Sequence, residues 1–207
     1  MVVLLAGQAP SAPVWRGALV PPPPAPLYDP ACAPEQLEGP ARDRWQQPTR
    51  LVAALELQPG DTVADVGTGS GYLLPYLSRA VGREGLVFAE EIQAEYLPAL
   101  ERQAAALGNV RVVLGTATNP RLPPNSLDCA VLLTVYHEVA RPLVLLRALA
   151  ACLRPGGRLA IIDFDPDRGG DPPPPAGHAV RERDVRAAAA ATGWIVEQQV
   201  ELHPSQF

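Results

Sequence analysis

The sequence predicts an α/β fold of three layers, a doubly wound and mostly parallel sheet between helices. Short, largely apolar runs recur at residues 62–66, 86–92, 110–114, 127–133 and 154–165, and near-continuous apolar runs are those of strands covered on both faces. Helical stretches separate most of these runs, with a loop at 120–126 before the fourth, the alternation that builds a parallel sheet. The first run ends in Asp65-Val66-Gly67-Thr68-Gly69-Ser70-Gly71, a glycine turn that opens a helix.

At 207 residues the chain is long enough for one α/β domain with a full core and short for two. Its net charge is −5, and no Lys/Arg run stands out. Both argue against a phosphate backbone as the main ligand, so nucleic acid is not expected as a partner. Cys32, Cys129 and Cys152 are far apart and read as reduced core residues of an intracellular enzyme. The three histidines, His137, His178 and His203, show no ligand spacing, and no metal site is expected.

Taken in order, residues 1–39 read as a proline-rich, loosely structured arm, with Pro21–Pro24 and Pro26 at its centre. Proline runs favour extended polyproline geometry. The apolar start, Met1 to Ala6, has no basic segment before it and is too short to span a membrane. A cytoplasmic location is expected; export is the alternative, should this stretch be the remnant of a signal peptide. The domain proper is set at 40–207. Residues 41–57 read as helix, broken or restarted at Pro48, with Trp45 either a lid over a ligand or a core residue.

Pro59-Gly60-Asp61 is a turn. The first strand and the glycine turn follow it, then a helix over 71–81. Residues 86–92 form a second strand ending in Glu90-Glu91. An acid about twenty residues past the glycine turn suits a ribose, whose two hydroxyls can both donate to one carboxylate. Residues 93–107 read as a helix that Pro98 kinks, stopped by Gly108-Asn109. Strands at 110–114 and 127–133 follow. Ligands in open α/β sheets bind at the carboxyl ends of strands, so Thr134-Val135-Tyr136-His137-Glu138 should face the glycine turn. Residues 141–153 and 180–192 read as helices, and 193–202 as the sixth strand. The polar, proline-rich segment 168–178 can cover the substrate opening.

Glycine's missing Cβ lets a ligand approach the backbone closely. The spacing D-x-G-x-G-x-G differs from the dinucleotide pattern G-x-G-x-x-G, and a carboxylate beside the turn repels a pyrophosphate but attracts a cation. On these residues the chain resembles motif I of the class I S-adenosylmethionine-dependent methyltransferases, and Leu153-Arg-Pro-Gly-Gly157 before an apolar strand is similar to theirs. The resemblance is nearest to the branch that includes quinone-biosynthesis methyltransferases. It implies S-adenosylmethionine as cofactor. Asp65, Gly67, Thr68, Gly69 and Gly71 would then line its methionine and sulfonium side. It also selects Glu91 over Glu90 for the ribose, sets Thr116 and Ala117 beside adenine, where many relatives carry Gly-Asp-Ala, and sets Leu133 and Thr134 along the cofactor. The family's usual last strand would begin near Gln206, so the final hairpin is expected to be short or missing.

Methyl transfer is an in-line displacement that needs alignment and exclusion of water more than a signature residue. His137 is a candidate base and Tyr136 a candidate for orienting the acceptor. Asp163 and His178 are further candidates for substrate contact. No Asn-Pro-Pro-Tyr motif follows the fourth strand, which points to a small-molecule acceptor. Two other readings stay open: a nicotinamide-dependent oxidoreductase, and a non-catalytic module that binds the cofactor or a protein.

Overall fold

A computed structural model describes residues 2–6 (backbone only), 40–170, 173 and 177–207. Most of the proline-rich arm with Cys32, and all of the second proline run but Pro173, lie outside the described residues.

Two short helices open the domain, α1 (Pro40–Gln46) and α2 (Pro48–Ala54). Pro48 occupies the first turn of α2, where its missing N–H costs nothing, and Gln47 between the helices is left-handed at φ 49°. The strands β1 (Val2–Ala6), β2 (Thr62–Val66), β3 (Leu86–Glu91), β4 (Val110–Leu114), β5 (Leu127–Leu133), β6 (Leu153–Ile162) and β7 (Ile195–Val200) form one sheet in the order β4-β3-β2-β5-β6-β1-β7. From β4 to β6 every pairing is parallel, and β1 runs antiparallel to both β6 and β7. No helix among the described residues is long and apolar enough to cross a membrane.

Alternate residues of the strands feed two cores. Ala64, Ala130, Leu132 and Ile161 pack with helices α5 (Pro142–Cys152) and α6 (Glu182–Ala191). Val63, Val87, Val131 and Ile162 pack with α2, α3 (Leu74–Val81) and α4 (Leu97–Leu107). A period of two puts successive side chains on opposite faces, so both faces are apolar and the three layers follow. Cys129 and Cys152 are buried free thiols.

Two local expectations are corrected. Pro98 does not kink a helix over 93–107. A 3-10 turn (Ala94–Tyr96) precedes α4, and Pro98 sits in the first turn of α4, the one place where a helix tolerates it.

The larger correction concerns the ends of the chain. Val2–Ala6 belongs to the sheet and not to a loose arm. Its backbone pairs Val3 with Ile161 through Ala6 with Arg158 on β6. Just beyond the end of β6, Phe207 and Asp163 exchange backbone hydrogen bonds (3.1 and 3.2 Å) and Gln206 bridges Phe164. Gln206 and Phe207 thus start the lane beside β6, and Val2–Ala6 continues it in register. The position expected to be short or missing is filled by two pieces from opposite ends of the sequence. Apolar Val and Leu suit a central strand, but nothing local in the sequence says which neighbour such a strand takes.

Candidate active site

The chain leaves β2 for β3 and β4 and then crosses back to β5, so the sheet order reverses between β2 and β5. A cavity of about 750 Å³ opens at the carboxyl ends of these strands, the switch-point location expected of a ligand site and a volume within the usual range for small molecules.

The glycine turn forms one wall. Gly67 and Gly69 line the cavity and are left-handed at φ 71° and 56°. A Cβ on Gly67 would lie 2.7 Å from Val135 Cγ1, whereas one on Gly69 would meet nothing within 4 Å. Gly69 therefore opens directly onto the cavity. Gly71 does not line it: a Cβ there would strike Gln103 Oε1 and Leu100 of α4. The expectation that Gly71 faces a cofactor is corrected to a helix-packing role.

Three acids line the same wall. Asp65 is buried and accepts a hydrogen bond from Thr68 Oγ1 at 2.7 Å. Glu91 accepts from the Gly69 N–H (2.8 Å) and from the N–H groups of Ile92 and Gln93 (2.8 and 2.9 Å), which ties the end of β3 to the glycine turn. Glu90 is buried beneath, accepting from the Gly67 N–H at 3.1 Å. Burial raises the Asp65 pKa to about 6, against the Thr68 bond and the Arg42 charge. Burial, with the charges of Glu91 and Asp65, raises that of Glu90 to about 8.

The stability consequence has a definite sign. Folded Glu90 holds its proton between its ordinary 4.5 and about 8, while the unfolded chain has lost it. The folded state binds more protons in that window, so stability falls as pH rises through it. Glu90→Gln is expected to raise the melting temperature, with a gain that grows from pH 5 to pH 8. Melts of both proteins across that range check this; a gain independent of pH counts against it.

Thr116 and Ala117 line the cavity, but the Thr116 hydroxyl is already engaged, donating to Asn119 O (3.2 Å) and accepting from Asn119 N (3.1 Å). Leu133 and Thr134 also line it. Thr134 is left-handed at φ 54°, and its N–H donates to Ile162 O at 2.7 Å. Positive φ at a β-branched residue is a strained conformation, and it marks where the chain leaves β5 for the site.

After Thr134 comes a 3-10 turn, Tyr136–Glu138. It sends Tyr136 into the core, 5% exposed and outside the cavity lining, which corrects its expected role in orienting an acceptor. His137 and Glu138 line the cavity instead. His137 Nδ1 lies 2.8 Å from Oδ1 of the fully buried Asp163, whose Oδ2 accepts the His137 backbone N–H at 3.0 Å. The carboxylate accepts a hydrogen bond from Nδ1–H, which leaves the lone pair of the neutral ring on Nε2. Burial works to lower the His137 pKa, but Asp163 and Glu138 outweigh it and hold it above its ordinary value.

Trp45 forms part of the wall, its ring 5.6 Å from Phe164 and 5.7 Å from His203. Arg42, unmarked in the sequence, also lines the cavity, with its guanidinium 4.0 Å from the Tyr72 ring centre. Its position one helical turn before Trp45 was the only available signal. Pro173 and His178 reach the cavity from the segment before α6.

A cavity walled by an open glycine backbone with the carboxyl groups of Asp65 and Glu91 beside it cannot hold a pyrophosphate without burying like charges together. It does fit a cationic nucleoside with hydroxyls, the chemistry of S-adenosylmethionine. The methyltransferase-domain family profile matches residues 64–161. A solved S-adenosylmethionine-dependent methyltransferase from Aquifex aeolicus is 32% identical, with a TM-score of 0.78 over 87% of this chain and 96% of that one. The chain belongs to the class I S-adenosylmethionine-dependent methyltransferases, which sets aside the nicotinamide reading.

Among curated relatives, the ubiquinone/menaquinone biosynthesis C-methyltransferase UbiE of Vibrio cholerae is 32% identical over 110 residues. That match covers 52% of this chain and 42% of that protein, so the chain spans less than half of its length. An uncharacterized 37.1 kDa transposon protein of Streptomyces fradiae is 34% identical over 117 residues, 56% of this chain and 34% of that one. The [4+2]-cyclase SpnF shares the fold, at 22% identity and a TM-score of 0.58 over 80% of this chain and 62% of that one.

Proposed function

We propose that this chain transfers a methyl group from S-adenosylmethionine to a small-molecule acceptor whose reacting atom lies against His137. The observation that carries this reading is the single cavity joining the acid-lined glycine turn to the His137–Asp163 pair. The cofactor supplies an electrophilic methyl on a sulfonium. Asp65 and the Gly67–Gly69 backbone hold its cationic end, Glu91 receives the ribose, and Leu133, Thr134 and Ala117 border the rest. Thr116 contributes backbone and shape, since its hydroxyl is spent on Asn119. Trp45, Phe164 and Pro173 give the acceptor end an apolar wall, which keeps water out and favours a small, largely apolar acceptor. The quinone pathway named for the Vibrio relative agrees with an acceptor of that kind. We assign the catalytic unit to residues 40–207 completed by Val2–Ala6, and its setting to the cytoplasm, in keeping with the free thiols Cys129 and Cys152.

Calorimetry with S-adenosylmethionine, and with NADH as control, tests the cofactor. Asp65→Ala is expected to weaken S-adenosylmethionine binding about 100-fold, the scale of a lost charge-assisted contact. Retained affinity would remove Asp65 from the site. Binding without turnover on any small-molecule panel would favour a non-catalytic module.

A further inference from the structure

We propose that His137, Glu138 and His178 form a site for a divalent transition metal of the zinc class at the acceptor end of the cavity. One ligand atom from each residue lies within 4.8 Å of the other two. His137 Nε2 is 3.7 Å, and His178 Nδ1 3.8 Å, from the same oxygen, Glu138 Oε1. These gaps are too long for hydrogen bonds. They are close to the spacing of ligands on a tetrahedral zinc, about 3.3 Å for bonds of about 2.0–2.1 Å. The two imidazoles stand edge to face, 5.4 Å between centres, so their nitrogens can turn toward one point without the rings colliding.

Two further features distinguish this cluster from a chance grouping. Asp163 grips His137 Nδ1 at 2.8 Å, the carboxylate–histidine support that metal-ligating histidines recurrently have. The donor set, two imidazoles and one carboxylate, leaves a fourth position that faces the cavity, since all three residues line it. Three protein ligands and one open position are the arrangement of catalytic rather than structural zinc. Nitrogen donors argue against magnesium or calcium. His137 and Glu138 follow β5, whereas His178 lies just before α6, so the metal would tie together two parts of the cavity wall distant in sequence.

Metal binding stands on these side chains alone; its role in the reaction rests on the methyltransferase reading. There, an acceptor hydroxyl made more acidic by the metal releases its proton to bulk solvent as it takes the fourth position. The oxygen lone pair then forms the O–C bond to the methyl, the C–S bond breaks, and its electron pair stays on sulfur as a neutral thioether.

The test uses the full chain, freed of metal with a chelator and dialysed against zinc. Wild-type protein is expected to retain one zinc per chain by elemental analysis, and cobalt in its place to give tetrahedral absorption bands. His178→Ala, whose side chain is 29% exposed and not needed for the core, is expected to lower zinc affinity at least 100-fold while its melting temperature without metal stays unchanged. Equal zinc retention by wild type and variant would mean an adventitious ion only and overturn the proposal, as would no retention by either. S-adenosylmethionine binding is measured on the same samples. Zinc bound through His178 without cofactor binding upholds the metal site and sinks the methyltransferase reading; cofactor binding without zinc sinks the metal site alone.

Discussion

Deleting Val2–Ala6 is expected to lower the melting temperature by about 10 °C or more, the size of a loss of several kcal/mol in a domain of this length. Among the described residues, β7 pairs within the sheet only with β1. Without β1, the outer side of β6 along 158–161 and the whole of β7 lose their backbone partners. Each ladder hydrogen bond contributes about 1 kcal/mol net, and two bare edges invite association. Calorimetric melts with light scattering would show both effects, and an unchanged transition would mean that β1 adds nothing to the fold. A sharper form of the test follows from register. Phe207 faces Asp163 and Val3 faces Ile161, so Val2–Ala6 moved to follow Phe207 would re-enter the lane with every pairing kept. That permuted chain is expected to recover most of the lost stability. A chain carrying the same five residues in scrambled order controls for length.

Gly67→Ala is expected to weaken S-adenosylmethionine binding at least tenfold. The backbone there is left-handed at φ 71°, which costs a residue with a Cβ about 1–2 kcal/mol. The new methyl would also lie 2.7 and 2.9 Å from the two methyls of Val135. Because Val135 and Gly67 both line the cavity, relief of that clash must reshape the cofactor's wall. Val135→Ala in the same chain should restore part of the affinity, since it removes the collision and leaves the strain. Gly71→Ala makes the contrasting case. Its collision is with Gln103 and Leu100 in α4, so the melting temperature should fall more than cofactor affinity does. Isothermal titration of the single and double variants decides the point; no rescue by Val135→Ala would show that steric contact is not the cause.

Much of the glycine-turn wall of the cavity was legible because it is local. β2 was expected at residues 62–66 and lies there. The strand ends, the glycine turn and the acids that end β3 are written within thirty residues, and the parallel geometry that assembles them repeats wherever apolar runs alternate with helices. The misreadings fall where one residue's direction decides. Tyr136 and His137 are neighbours, and only the 3-10 turn sends one into the core and the other toward Asp163. The roles of Gly67, Gly69 and Gly71 look alike in sequence and separate only by what each would strike. Thr116 carries a usable hydroxyl until Asn119 folds back onto it.

By itself the sequence determined the layered α/β plan, the glycine turn and the kind of cofactor such a turn accepts. Those follow from hydrophobic period, turn chemistry and charge, each acting over a few residues. Tertiary structure alone decided that the first residues of the chain extend the lane begun by the last. It alone decided that two histidines forty-one positions apart (178 − 137) meet over one carboxylate. Both are pairings between distant segments, settled by which backbone edges and side chains the completed sheet leaves facing each other.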